Sequence, residues 1–572
     1  VSDGVRTACG RARSVAALVA ALVAASVAPL RAQLLDRVAS CADGVLTLRL
    51  PGGPADDEAR ARAMLADSGW SLMRRHSDDA RRAMRADTTA GAVRFAVVAP
   101  EVLVTSQSAF PLPDNDGPMW AGRGVSRSIT VGVAACGRGG RWGVIVAPTF
   151  WRSENRDFVV PEDPRFVPPR QGEYTQFASR YHYEPRSLDL PRRLGEAGTG
   201  ALAPGVLAAW WRNDVLEAGV TTESEWWGPG LRNALLLSSN AAGVPRAYAR
   251  TARPLRVAGE LEAQVFLGSL GYSDWFQEPW MLRDTARSLS GIAVTWRPWF
   301  DRGLQLGAAR LVANAYAGGE IAGRLLDFGR WTGQPNAVPW LDSSVVRKAD
   351  QLLSVFAHWR LPLDGVEAWL EWGRAELPSS LTDLLAEPNH SRALTVGLQH
   401  ARPFRQGRWH WRIAFEHTAT NQTGTFSRRP SGSWYTSRAV PGGFSQRGEV
   451  LGASIGPGSV SQWAALDVTG RRLGVGTFVS RVKWDDDSFY TIPRPLGNGL
   501  CKHDVSLAYG ARGFLAASRF GRLDATVAVQ QRMNLYWQAL GFCFANEVLQ
   551  VDGRNTSLML RWSAPLPGNR VR

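Results

Sequence analysis

Lysine is almost missing from this chain. Lys348, Lys483 and Lys502 are the only ones among 66 Lys and Arg residues, so arginine carries the formal net charge of +15. So positive a chain favours acidic partners such as nucleic acid, anionic lipid headgroups or acidic polysaccharide. The plainer alternative is a codon bias toward arginine. Cysteine is scarce too, with five in 572 residues. No C-x-x-C pair and no H-E-x-x-H occurs, which leaves a metal or any other cofactor without support. One long apolar run exists, over residues 14–28, behind Arg6, Arg11 and Arg13 and ahead of Leu30-Arg31-Ala32. It reads as a secretory signal peptide over residues 1–32, with Cys9 too early to serve as a lipoprotein cysteine. No other segment reaches the roughly 18 apolar residues that a membrane-crossing helix needs. An exported chain has little use for nucleic acid, and the absence of an internal repeat argues against a soluble propeller.

What is present divides into two regimes. Residues 33–110 hold DDEARARAMLADSGWSLMRRHSDDARRAMRAD (56–87), rich in Ala and Arg, with Asp56 and Asp57 where a helix would begin. This part is expected to be a small, partly helical periplasmic segment. From about residue 93 the period becomes two, and residues 111–572 are expected to form the main domain. In RWHWRIAFEH, Trp409, Trp411, Ile413 and Phe415 point one way and His410, Arg412, Ala414 and Glu416 the other. In GVEAWLEWG, Val366, Ala368, Leu370 and Trp372 alternate with Glu367, Trp369, Glu371 and Gly373. Such alternation marks strands with one apolar and one polar face.

Roughly 16–18 such strands, separated by Gly, Pro, Asn and Asp clusters, make the chain all-β. Charges in mid-strand suit a wet or plugged lumen. The 24 Trp can furnish interfacial girdles, and closing the sheet removes its edges. The pattern therefore predicts a transmembrane antiparallel β-barrel in the outer membrane, monomeric and in contact with outer-membrane lipid and lipopolysaccharide. Counting strands back from the last one places Cys501 and Cys543 on neighbouring outer loops, where a disulfide is expected.

The stretch ESEWWGPGLRNALLLSSNAAGVP (223–245) resembles the signature of the Wzi family of capsule-assembly outer-membrane proteins. The similarity extends through NDGPMWAGRGVSRSITVG (115–132), WRSENRDF (151–158) and LDLPRRLG (188–195). It continues in EPNHSRALTVGLQH (387–400) and QRGEVLGASIGPGS (446–459). The resemblance implies eighteen strands, a periplasmic helical region and a lectin role without enzymatic activity, anchoring or assembling capsular polysaccharide or exopolysaccharide on the cell surface.

Two readings of the WWGPG block compete. Trp226 and Trp227 could stack on sugar while Glu223, Arg232, Asn233 and Asn240 bond hydroxyls or carboxylates, arginine favouring acidic sugars. Alternatively Gly228-Pro229-Gly230 makes a rigid structural turn that packs both indoles. Neighbouring strand residues face opposite ways, so at most one Trp is expected to face a ligand. The loops EPNHSR (387–392) and SRRPSGSWYTSR (427–438) are further candidate glycan surfaces. Gly452-Ala453-Ser454-Ile455-Gly456 fits G-x-S-x-G, but no strand-to-helix elbow supports a catalytic Ser454. The rival function is a porin or substrate channel with an Arg-rich, anion-selective lumen.

Overall fold

The computed structural model describes residues 45–564 apart from 67–69, 87–92, 113–116, 118, 159–187, 196, 277–285, 317–348, 362, 377, 379, 430, 438, 492–498, 501, 518–519, 536–539 and 542–551. Its main sheet joins twenty strand segments. Two of these, Val45–Leu46 and Leu255–Arg256, are short additions, which leaves eighteen wall strands. The first nine are β1 (Arg94–Gln107), β2 (Gly124–Cys136), β3 (Trp142–Ser153), β4 (Thr199–Arg212), β5 (Leu216–Thr221), β6 (Arg246–Thr251), β7 (Gly259–Leu270), β8 (Ala286–Pro298) and β9 (Leu304–Tyr316). The second nine are β10 (Ala349–Leu361), β11 (Val366–Arg374), β12 (Arg392–Phe404), β13 (Trp409–Ala419), β14 (Val460–Gly470), β15 (Leu473–Trp484), β16 (Asp504–Ala517), β17 (Gly521–Met533) and β18 (Gly553–Ser563). β18 pairs antiparallel with β1, from Ser557 opposite Gln107 to Ser563 opposite Glu101, and the sheet closes.

Alternation decides which side faces lipid. On β13, Ile413 and Phe415 are exposed on the outer wall while Arg412 and Glu416 are buried inside. On β11, Leu370 faces out and Glu367, Trp369 and Glu371 face in. Val133, Val146, Val355, Leu398, Leu466, Val479, Leu507 and Val527 continue the outer apolar belt around the cylinder. Trp142, Trp211, Trp299, Phe300, Trp359, Phe520 and Trp562 are exposed near the short turns, forming the aromatic girdle of the periplasmic rim. No helix among the described residues is long and apolar enough to cross a membrane. Strands do the crossing.

Much of the lumen is occupied by the chain itself. Helix α1 (Pro54–Leu65) starts with Pro54 after Gly53, and the Gly52 N–H donates to Asp56 at 2.8 Å. Met73–Arg75 and helix α2 (Asp78–Ala86) follow. Residues 222–245, which leave the wall part-way up after the short β5, and residues 420–459, which follow β13, run into the same space. Met73–Arg75 pairs antiparallel with Glu225–Trp227, so the N-terminal segment and the first inward connection share a small sheet. Leu72 and Met84 pack with Trp227, Leu235 and Leu236, with Trp434, Tyr435 and Phe444 of the second connection, and with Phe266, Leu289 and Phe356 of the wall. The Tyr435 hydroxyl donates to the Leu235 carbonyl and accepts from the Ala453 N–H, both at 2.8 Å, locking the two connections together.

Two expectations shift. The first wall strand begins at Arg94, so the barrel starts before the boundary drawn at 110/111. The N-terminal segment, expected as a periplasmic appendage, sits within the barrel, because its buried charges find partners on the inner wall. The signal peptide, Cys501 and Cys543 lie outside the described residues. Their loops do meet, with Gly499 opposite Gly541 and Leu500 opposite Leu540. Cys136 is disulfide-bonded to a cysteine outside the described residues.

Candidate ligand site in the lumen

The WWGPG block is pinned on every side. Trp226 and Trp227 are both fully buried, with Trp227 tilted against Phe266 at 5.3 Å between ring centroids. Neither indole offers a face to solvent, because the strand that carries them lies inside the lumen with neighbours on both sides. Gly228 has φ +114° and lies against the Glu371 carboxylate, a conformation only glycine adopts without strain. The Pro229 and Gly230 carbonyls accept from Arg60 of α1 at 2.5 and 3.2 Å, and Arg60 also donates to Glu367 at 2.7 Å. Beyond the turn, the N–H groups of Leu231, Arg232 and Asn233 converge on Glu416 at 2.5, 3.0 and 2.9 Å. A wall carboxylate thus caps three consecutive backbone donors, as an anion would.

Glu223 is a structural partner as well. It is buried, accepts from Arg81 at 2.9 Å and from the Ser77 N–H at 3.1 Å. Burial alone would raise its pKa, but Arg81, Arg75, the Ser77 hydroxyl and Arg246 outweigh that and bring it down to about 2. Asp57 shows the same contest. Burial pushes its carboxyl up, and Arg412, Arg512 and Arg232 hold it well below the usual carboxylate range. Asp57 accepts from Arg412 at 2.6 and 2.7 Å and from Arg512 at 3.1 Å. Asp467 on β14 takes further bonds from both arginines at 2.7–3.0 Å.

Arg232, Asn233 and Asn240 are the expected site residues that reach open space. Arg232 and Asn233 line a cavity of about 210 Å³ between the plug and the wall of β14–β18 and β1. Trp463, Trp484, Gln107, Gln530, Ser461, Ser480, Arg512 and Arg561 complete its polar and aromatic lining. No Asp or Glu is among the lining residues. The Arg512 and Arg232 guanidiniums lie 5.1 and 5.8 Å from the Trp463 ring. Asn240 lines a second cavity of about 110 Å³ nearer the outer rim, and its amide donates to the Val450 carbonyl at 3.0 Å. The two cavities share Leu112, Ser454, Ile455 and Trp484. Ser454, the G-x-S-x-G serine, stands in a turn between them and lies 3.5 Å from the Asn233 side-chain oxygen.

Inward, the path narrows to about 50 Å³ around Asp57, Glu58, Arg412, Asp467, Arg512 and Arg522. That space holds a few waters at most. The rim is guarded by Asp485, whose N–H donates to the Ser459 hydroxyl at 3.0 Å. Its pKa is pushed up to about 7 by burial, with Asp487 nearby adding repulsion.

Trp463 and Trp484 were not singled out in the sequence. The available signal was phase: Trp463 shares its face of β14 with Ser461 and Asp467 rather than with the outward Leu466. The loop EPNHSR does not join this cavity. In SRRPSGSWYTSR, Trp434 and Tyr435 are buried in the core. No metal-holding group of His, Cys, Asp or Glu occurs among the described residues.

Fold and lumen together define a class, a plugged outer-membrane β-barrel. Among solved structures, the chain is similar to Wzi, an outer-membrane protein involved in group 1 capsule assembly in Escherichia coli and described as a carbohydrate-binding β-barrel. That match has 13% identity over 82% of this chain and 85% of that one, at a TM-score of 0.49. It is also similar to OccK2 (OpdF) of Pseudomonas aeruginosa, at 11% identity over 82% and 97% with a TM-score of 0.37. A BenF-like porin from Pseudomonas fluorescens Pf-5 matches at 8% identity over 82% and 98%, TM-score 0.37. No family model matches, and no curated protein matches. At such identities the functional reading rests on the chain's own geometry.

Proposed function

We propose that this barrel holds an acidic exported polysaccharide at the cell surface, and that a short stretch of the glycan enters the lumen from the outer rim. The observation that carries this reading is the 210 Å³ cavity lined by three arginines, two tryptophans, amides and hydroxyls. Guanidinium groups suit uronate or pyruvyl carboxylates, indole faces suit the C–H faces of sugar rings, and small hydroxyls and amides suit their polar edges. The small, ion-paired space around Asp57, Arg412, Asp467 and Arg512 supports retention over passage. A long chain held weakly at one lumen site and at outer loops would gain its hold through avidity.

Two measurements test this. Deleting the gene in its own cells should release acidic polysaccharide into the medium without lowering synthesis, and full retention of the coat would refute the anchor. In planar bilayers the full chain should pass little current. A large, anion-selective conductance would favour the substrate channel instead.

A further inference from the structure

Arg60, Arg75, Arg81 and Arg246 are each met by a carboxylate. At the foot of β4–β6 that matching stops. Arg212 at the end of β4, Glu217 on β5 and Arg250 on β6 stand side by side, because Arg212 pairs with Glu217 and Glu217 with Arg250. Alternation turns all three inward: Trp210, Arg246 and Tyr248, in phase with them, are buried, while Trp211 and Ala247 face out. One carboxylate thus stands between two arginines, and it is already taken. Glu217 accepts from Arg75 at 2.9 Å, from Arg81 at 3.0 Å and from the Tyr248 hydroxyl at 3.1 Å.

The plug adds a third cation. Helix α2 ends against the turn between β2 and β3, where a Cβ on Gly140 would lie 3.2 Å from the backbone of Met84 and Arg85. The same turn receives the end of β4, with the Arg212 N–H donating to the Arg141 carbonyl at 2.7 Å. Arg85 is thereby brought beside Arg212 and Arg250. Burial, with repulsion from both of these, lowers its guanidinium to about 10, and Glu217 and Asp78 offset only part of that.

The cluster lacks an anion of its own among the described residues. Arg212 reaches the Ala252 carbonyl by a long bond of 3.5 Å. One terminal nitrogen of Arg212 and one of Arg250 are buried without an acceptor among the described residues. The other carboxylates nearby are engaged or turned outward. Asp78 accepts from the Arg75 N–H at 2.8 Å, Glu262 on β7 accepts from Ser71 at 3.1 Å, and Asp214 is exposed on the turn after β4. Donors without acceptors and unpaired charges are both costly when withdrawn from water. Arg85, Arg212 and Arg250 are each partly exposed, at the ends of α2, β4 and β6, so the cluster opens to the periplasmic mouth of the lumen.

A carboxylate presents a planar edge of two oxygens, which a single guanidinium satisfies. Three guanidiniums arriving from two strands and a helix call for more acceptor oxygens and more charge, and a phosphate group supplies both. We propose that Arg85, Arg212 and Arg250 form a phosphate site at the periplasmic foot of the lumen, where one phosphate group bolts helix α2 to the wall. This site is independent of the glycan reading, since none of the three arginines borders the cavities described above.

The test uses the full chain in a zwitterionic detergent, at constant ionic strength and mildly alkaline pH, where phosphate is doubly charged. By calorimetry, inorganic phosphate should bind and acetate should not, and phosphate alone should raise the unfolding temperature. Arg85→Gln and Arg250→Gln should each weaken phosphate about tenfold. Without phosphate neither should unfold earlier than wild type, since each removes a repelled charge; a variant that did would place its guanidinium in an ion pair, against the proposal. Arg82→Gln, on the same helix but bonded to Asp79, should leave phosphate binding unchanged. Glucose 1-phosphate distinguishes the sources: equal binding means that the site reads the phosphate of an ester, and binding of inorganic phosphate alone means that it holds the free ion, both in support. Heat-modifiable gel mobility confirms that each variant is folded. The proposal is overturned if wild type binds phosphate no better than acetate, if either Arg85→Gln or Arg250→Gln binds it like wild type, or if Arg82→Gln loses as much.

Discussion

The two sides of the lumen are built from the same strand pattern and behave differently. On the side of β5–β13, the plug is dry: Trp226, Trp227 and Leu235 pack against Phe266 and Phe356, and buried arginines are matched by carboxylates. Arg75 and Arg81 meet Glu217, Arg246 meets Glu225, and Arg60 meets Glu367. On the side of β14–β18 and β1 the plug stands off the wall, leaving space lined with Arg, Trp and amides. The difference teaches that arginine alone does not mark a binding surface here. Arginines clasped by carboxylates hold the plug, and on the open side Arg512, bonded to Asp57 and Asp467, and Arg561, bonded to Glu101, still border the cavity.

The largest expected break in this contrast lies at the boundary between the sides. Arg412→Ala would leave Asp57 and Asp467 without their main shared cation in a buried setting. Losing one member of such a pair costs about 3–5 kcal/mol, so thermal or urea unfolding of the detergent-solubilised barrel should shift by that amount. Next is Gly228→Ala on the packed side. A Cβ there would lie 2.8 Å from a Glu371 oxygen at φ +114°, and strain of about 1–3 kcal/mol should appear in the same unfolding assay. On the open side, Arg232→Gln should weaken an acidic oligosaccharide about tenfold by calorimetry, with a neutral one little affected. Equal losses for both sugars would remove the charge argument.

A last test is the sign of the pH dependence. Glu223 is held at about 2 in the folded chain against 4.5 in the unfolded one, so its contribution is full above pH 4.5 and is lost as pH falls toward 2. Asp485 is raised to about 7 from 3.8, so the folded state binds the extra proton between those values. Its contribution is full below about pH 4 and is lost as pH rises to 7. Asp485→Asn should flatten the stability profile between pH 4 and 7 and leave the acid limb intact, whereas Glu223→Gln should change the acid limb alone.

The wall was legible because strand alternation is local: Ile413 and Phe415 against Arg412 and Glu416 can be sorted within four residues. The plug was not. Helix α1 buries Asp57 and Arg60, residues that read as solvated in isolation, because their partners Arg412 and Glu367 are 355 and 307 positions away. The tryptophan pair in the WWGPG block was legible as part of a turn, with Gly228 at a positive φ. The sequence pattern did not reveal that both indoles are covered, since that depends on Gly52 and Arg74, about 150–170 residues earlier, for Trp226 and on Phe266 for Trp227. Trp463 went unremarked for the converse reason, being one aromatic in a short strand whose inward phase matters only once the lumen is known to be part empty.

Arg60 clasps both the turn at Pro229–Gly230 and the wall at Glu367, and this imposes an order on biogenesis. The segment that carries Arg60 is synthesised before what it must grip, which follows 169 and 307 residues later. It has to wait, charged and without its partners, until the cylinder is nearly shut, and then be enveloped. A periplasmic holdase that shields this segment should therefore be needed at the last step of insertion, when the first and last strands meet.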